Sequence, residues 1–408
     1  NPPGSSLYSN SYIWHNEIFY NFKQIKWAEI IAGANYRKYN LFSDATIFNE
    51  APDDPNEKER IQTHIVGAYT QISKTIAEKL KLTASIRYDN MKDFKAQITP
   101  RFSAVYLPNK NNNIRVNYQT GFRFPDMLQQ FIYFPTPGGI ALGGVESNAA
   151  RYGIYNGGAW TFESYNEFIG QGGVLDPTTG DIITNPGNVT LETANLSYME
   201  PEQVKSFEIG YNGVISGKLL IDLNYYHTWY NNFLGQAMVV NKVATSHQGQ
   251  QIDAGTLWAP NVNSSSTLKS DGFGISITYN LPNNFVATGN YTYATFSGEL
   301  PEGFITGFNT PKNRINLGIS NRKITKNLGF NLNMSYQDEF LWESLYGMAM
   351  MPSYTLFNAQ VNYKLPLFKT TIKIGGTNIV GDDYRTSFGS PFVGQTYYIS
   401  LGYESLLN

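Results

Sequence analysis

Side chains that do chemistry are sparse in this chain. Its four histidines, His15, His64, His227 and His247, stand far apart, and there is no cysteine among 408 residues. None of the four shares the close spacing that aims two imidazoles at one ion, and thiolate ligands, thiol nucleophiles and disulfides are excluded outright. Each histidine reads as an isolated interfacial or loop residue. The glycine pairs at 138–139, 143–144, 157–158 and 172–173 do not open a helix after a strand, so none cradles a phosphate. Asp53-Asp54 and Glu57-Lys58-Glu59-Arg60 read as a solvated charge run. The expectation is a protein that is not an enzyme and holds neither cofactor nor metal.

Binding chemistry is richer. The segment 125–202 combines many glycines with Phe131, Tyr133, Phe134, Tyr152, Tyr155, Trp160, Phe162, Tyr165 and Phe168. Connections this long in ordered proteins are usually functional, and aromatic rings supply stacking and burial. These nine are the candidate set for a substrate or partner, on a loop expected to contain its own short hairpin. A second set is charged: Arg87, Arg101, Arg115, Arg123, Glu208, Asp222 and Lys373. All seven fall on the polar side of an alternating pattern, so what they can do depends on the elements that carry them.

Two-residue alternation runs from end to end. Leu80, Leu82, Ala84, Ile86 and Tyr88 interleave with Lys81, Thr83, Ser85, Arg87 and Asp89; later Phe273, Ile275, Ile277 and Tyr279 interleave with Gly274, Ser276 and Thr278. Successive side chains of a strand point to opposite faces, so each segment has one apolar and one polar wall. Fifteen such strands are expected, near 11–23, 27–41, 61–76, 80–93, 96–107, 113–124, 203–215, 219–234, 268–281, 284–296, 312–321, 328–337, 353–364, 369–378 and 396–404. Links after the odd-numbered strands are tight. Links after the even ones are long, at 42–60, 125–202, 235–267, 297–311, 338–352 and 379–395, with Phe94-Lys95 the exception.

Composition narrows the class. Only 15% of residues are charged, 15% are aromatic and the net charge is −2, which gives no basic surface for nucleic acid. No uncharged apolar run approaches the ~18 residues of a membrane helix. A string of soluble β-sandwiches is the rival architecture. It explains neither strands of the ~9–11 residues that cross a bilayer at a tilt nor short links on one rim and long ones on the other. Aromatics also crowd strand ends, as in Trp14, Phe19, Tyr20, Phe22 and Trp27, or Tyr225, Tyr226, Trp229, Tyr230 and Phe233, like the girdles of membrane barrels. The fold expected is all-β: a transmembrane antiparallel barrel with long extracellular loops and short periplasmic turns. A cation at mid-depth on its lipid face costs ~2–4 kcal/mol, so the seven charges should line the lumen.

Parity adds an expectation. With strand 1 running down into a periplasmic turn and strand 15 ending in the periplasm, the spans are odd in number, whereas single-chain bacterial barrels are even. An open edge in lipid is costly, so residues 1–408 are expected to be the C-terminal part of a barrel. The opening Asn1-Pro2-Pro3-Gly4-Ser5-Ser6 lacks the features of a signal peptide.

The residues also resemble a family. Pro100-Arg101-Phe102-Ser103-Ala104-Val105-Tyr106-Leu107-Pro108 is similar to the mid-barrel "PR-S--Y-P" strand of TonB-dependent outer-membrane receptors. Arg115 through Pro125, containing Gly121-Phe122-Arg123-Phe124-Pro125, resembles its "R--Y--GFR-P". Pro201-Glu202 through Glu208-Ile209-Gly210-Tyr211 resembles "PE-----EIGY". Pro311-Lys312-Asn313-Arg314 is similar to "P-HR", with Asn in place of His, and Asn378 through Tyr384 to "N-----Y", while Gln395 stands where Arg is usual. The motif style is closest to receptors of Bacteroidota. The resemblance implies a plugged barrel of 22 strands, with seven of them, the plug and the TonB box lying N-terminal to this chain. It places Arg123 and Glu208 on the wall around the plug. It implies active import of a scarce nutrient (siderophore-iron, glycan or peptide) driven by the TonB–ExbB–ExbD system, in contact with outer-membrane lipid and lipopolysaccharide, and in some members under a surface lipoprotein lid. A non-transporting scaffold in a larger outer-membrane assembly is the alternative; a passive porin fits a plugged lumen poorly.

Overall fold

The structure, a computed structural model, describes residues 7–300, 303–344 and 347–403. Residues 1–6, and position 404 of the expected last strand, lie outside these. All fifteen expected strands form: β1 (Tyr12–Asn21), β2 (Glu29–Leu41), β3 (Ile61–Ile76), β4 (Leu80–Met91), β5 (Gln97–Asn109), β6 (Asn112–Arg123), β7 (Glu202–Ile215), β8 (Leu219–Asn231), β9 (Leu268–Asn280), β10 (Phe285–Ser297), β11 (Asn313–Asn321), β12 (Leu328–Gln337), β13 (Tyr354–Leu365), β14 (Thr370–Thr377) and β15 (Thr396–Tyr403). They make one 15-stranded antiparallel sheet in chain order. Two of the tight links show why the sequence turns there. Ala77 and Glu78, and likewise Ser216 and Gly217, have positive φ, the turn handedness that matches strand twist.

Register carries the alternation across the sheet. Arg87 lies opposite Thr99, Arg101 opposite Gln119, Arg115 opposite Gly210, Asn212 opposite Asp222 and Asn362 opposite Lys373. All seven candidate charges therefore share one face. The other face presents Ile86, Ile98, Phe102, Ile209, Leu223, Leu317, Leu332, Phe357, Ile374 and Ile399, all exposed. A soluble sheet buries its apolar face; this one leaves it bare, as a surface meant for acyl chains does. Among the described residues no helix is long and apolar enough to cross a membrane.

The aromatic girdle is narrower than expected. Trp14, Tyr20, Tyr225 and Trp229 do share the apolar face. Phe19 instead follows Glu17 onto the polar face, because Glu17 pairs with Asn35 and Phe19 with Gly33. Tyr226 and Tyr230 share the polar face with Asp222, as Tyr226 stands opposite Glu208. Phe233 lies past the end of β8 and packs into the loops.

The buried core lies above the sheet, in the long connections. Leu142, Tyr152, Ile154, Tyr155, Ala159, Val239, Trp258, Val262 and Phe304 pack together. Three connections share one sheet there: Ala159–Thr161 pairs with Val239–Asn241, which pairs with Leu257–Asn263. That strand takes Gly139–Leu142 in parallel and Leu234–Ala237 antiparallel, and Leu234–Ala237 pairs with Phe304–Ile305 of the third connection. The connection from 124 to 201 contains two hairpins, Tyr133–Thr136 with Gly139–Leu142 and Val174–Leu175 with Ile182–Thr184, and three short helices: α1 (Met127–Phe131), α2 (Glu146–Ala149) and α3 (Phe162–Gly170). At the sheet's edges, every residue of β1 and β15 is exposed. The count of strands is odd, so these two edges run in the same direction.

Candidate functional site: the polar wall and its mouth

The polar face is built of charge pairs. Arg87 grips Asp89 through two hydrogen bonds of 2.6 Å, and Asp89 is buried. Gly67, opposite Asp89, leaves the room for this pair, since a Cβ there would stand 2.6 Å from its carboxylate. The Arg87 guanidinium also lies 5.6 Å from the Tyr69 ring centre, and the Tyr69 hydroxyl donates to Glu17. Arg115 reaches Glu208 at 3.4 Å and Asp222 at 3.6 Å, while Asn212 donates to Asp222. Arg101 lines the wall beside Thr99 and Arg87. Lys373 faces Asn362 and Ser400 across the register. From β9 to β13, between Arg314 toward one rim and Lys364 at the other, this face is neutral, with Ser276, Asn290, Asn316, Asn333, Ser335 and Asn358 around a recess of about 440 Å³.

Where the wall meets the loops lies a chamber of about 860 Å³. Phe134, Phe233 and Phe308 contribute rings; Gln129, Gln236 and Asn261 contribute amides; Arg123, Asp126, Glu202 and Glu343 contribute charge. Arg123 is held by Glu202 at 2.9 Å, and the same carboxylate oxygen accepts the Leu234 N–H at 3.0 Å. Asp126 caps α1 by accepting from the Gln129 N–H, while the Gln129 side chain accepts the Asp126 N–H, a reciprocal capping box. Glu343 accepts from the Thr306 hydroxyl at 2.6 Å. The chamber thus has three carboxylates and one guanidinium, already paired. The imbalance extends outward: the six long connections hold 23 of the chain's 32 Asp and Glu but 5 of its 30 Lys and Arg.

The nine loop aromatics divide. Phe131, Tyr152, Tyr155 and Phe168 are buried and fill the loop module itself. Tyr133 is half-buried and stacks on His247 at 3.6 Å and on Tyr152 at 5.3 Å. Trp160 stacks on Tyr165 at 6.3 Å, and Phe162 remains exposed. Of the nine, Phe134 lines the chamber.

Around Tyr152 the connections are tied together by polar bonds. Its hydroxyl donates to Asn49 Oδ1 at 3.1 Å and contacts His247 Nδ1 at 2.9 Å. A hydroxyl has one proton, so with that proton directed at Asn49 the His247 Nδ1 is the donor of the second bond. Asn49 donates on to Asn148, and Asn148 to the Gly143 carbonyl. Burial, reinforced by the nearby Arg151 guanidinium, pushes the His247 pKa down to about 4. Burial also raises Tyr133 to about 12 and holds Tyr155 well above its usual range. Arg151 pairs with Asp53 at 3.0 Å, drawing one member of the 53–60 charge run into this tie. The glycine pairs serve packing: a Cβ on Gly143 would run into the Gln130 carbonyl, and one on Gly144 into the Asn261 carbonyl. Among the described residues no group of three His, Asp or Glu side chains is placed to hold a metal.

A bare apolar face outside, paired charges inside and a folded cap over one rim define an outer-membrane barrel of the receptor type. A family model described as TonB dependent receptor-like, beta-barrel matches residues 2–379, and the chain belongs to that family. Its members are outer-membrane receptors. No curated protein matches the chain in sequence. Among solved structures it is similar to the siderophore receptor PirA from Acinetobacter baumannii, at 13% identity and TM-score 0.61, over 96% of this chain and 54% of that one. It is similar to the FrpB iron transporter from Neisseria meningitidis, at 13% identity and TM-score 0.62, over 96% and 55%. The ferric enterobactin receptor PfeA from Pseudomonas aeruginosa matches at 13% and 0.59, over 96% and 54%. At such identities the likeness is one of fold, and the chain spans about half the length of these structures.

Several partners in the site escape sequence reasoning. Asp89 was open to it, since it sits two residues from Arg87 and so on the same face. Glu202 shares the face of Glu208 by the same alternation and stands opposite Arg123 in register, whereas Glu343 and the rings of Phe233 and Phe308 come together through contacts far apart in the chain, for which alternation gives no signal.

Proposed function

We propose that this chain forms the wall and mouth of a TonB-dependent active transporter. In this reading the long loops face outward and the C-terminus the periplasm. A plug and further strands complete the barrel, and the TonB–ExbB–ExbD system supplies energy from the inner membrane. The observation that carries the reading is the line of paired charges on the polar wall, ending at the Arg123–Glu202 pair beneath the chamber. Charges in water need no such pairing; charges that face a removable polar plug gain from staying organised when it moves. Arg87, Arg101, Arg115, Glu208, Asp222 and Lys373 act here as plug-facing wall, and Arg123 joins wall to mouth.

The chamber's chemistry supports a cargo without net negative charge. Three carboxylates and a strongly acidic cap repel an anionic ferric catecholate during approach, while amides and three phenyl rings suit a glycan or a basic peptide. The proposal stands on one experiment: uptake of the cargo stops when TonB is deleted, and Arg123→Glu lowers transport while the barrel still folds. Uptake independent of TonB sinks it. The scaffold reading draws on the cap, whose closed aromatic core suits a fixed partner surface; full complex assembly without TonB, and no uptake of any cargo, is its signature.

A further inference from the structure

The rim opposite the cap carries the reverse charge. Arg322, Lys323 and Lys326 lie within five residues of the link between β11 and β12, all exposed, and none forms an ion pair among the described residues. The link is ordered by its own backbone: Lys323 N–H donates to Asn321 Oδ1 at 2.8 Å and Ile324 N–H to the Leu328 carbonyl at 2.9 Å. Its side chains are therefore aimed outward by a fixed turn. The next link on the same rim abuts it, through a hydrogen bond from Lys364 N–H to the Asn327 carbonyl. That link is an apolar knuckle, with Leu367 95% and Phe368 69% exposed, and Ile324 on the basic turn is 47% exposed. Both continue the apolar wall of Leu332, Val361 and Tyr363 below them.

We propose that this paired turn is a binding site for an anionic glycerophospholipid. The cationic turn meets the phosphate-bearing headgroup, and Leu367 and Phe368 enter the acyl boundary beside it. Three cations without carboxylate partners are complementary to an anionic headgroup. An apolar tip at that exposure is satisfied by lipid and by nothing in water. Neither feature serves cargo recognition, which lies at the other rim, so the inference does not rest on the transport reading.

The test is native mass spectrometry of the folded, detergent-purified full chain with dioleoyl phosphatidylglycerol and dioleoyl phosphatidylethanolamine in competition. Phosphatidylglycerol adducts should dominate and weaken in raised salt, since screening acts on exposed charge. R322Q/K323Q/K326Q should lower phosphatidylglycerol affinity roughly 100-fold, at about one headgroup contact per cation, with folding checked by heat-modifiable mobility. L367S/F368S should weaken both lipids while keeping their ratio. Equal retention of the two lipids by the unaltered chain overturns the assignment, as does salt-insensitive binding. Displacement of the lipid by soluble polyglutamate at equal charge also overturns it, because such a ligand makes no use of the knuckle.

Discussion

Glu202 is the residue on which wall and cap meet. It is 5% exposed, pairs with Arg123 and accepts the Leu234 N–H. Glu202→Ala strands both donors and should cost about 1–3 kcal/mol, read as a lowered unfolding midpoint in detergent; Glu202→Gln keeps an acceptor for Leu234 and should lose less. His247 makes the second prediction. Its folded pKa, about 4 against an ordinary 6.5, is depressed by burial. A loosened cap therefore binds the proton between these values while the docked cap does not, and docking weakens as pH falls from about 6.5 toward 4. Amide exchange in 125–201 should accelerate over that window, and His247→Phe should flatten the dependence. An unchanged pH profile in the variant would show that another group controls the cap. At this scale the sequence told which face each charge takes, because alternation is local. It did not tell that four of nine candidate rings are interior, since burial in a loop follows from contacts a hundred residues apart, such as Tyr152 with His247.

Among the elements, the strands were readable and the cap was not. β3 and β12 fall where alternation puts them, at 61–76 and 328–337, because pleat and register impose a period on composition. The 124–201 connection has no period; its order comes from the parallel pairing of Gly139–Leu142 with Leu257–Asn263 and from backbones that touch at Gly143 and Gly144. Gly144→Val should force the Asn261 strand away and release the cap while the sheet stays intact. Limited proteolysis is the check: cleavage within 125–201 should rise at least tenfold with heat-modifiable mobility unchanged. A protease-resistant cap in that variant would mean that the pairing tolerates the intrusion.

On the scale of the whole molecule, charge is sorted along the strands. The net charge of −2 conceals a cap with 23 acids and five cations, a distribution invisible in totals and plain once the connections are assigned to rims. Like charges at the mouth slow the approach of anions. Asp126→Asn with Glu343→Gln should therefore raise the affinity for an anionic ferric catecholate about tenfold at low ionic strength, an effect that fades at high salt and shows in tryptophan quenching titrations. Equal affinity in both proteins would remove charge from the selection of cargo.

The shared direction of β1 and β15 has a consequence for self-association. Copies of this chain inserted the same way into one membrane present edges that all run alike, so edge-to-edge joining would require a parallel junction between strands whose every other contact is antiparallel. Crowded copies therefore zip less readily into ribbons, and a set of strands odd in number meets both edges in matching polarity.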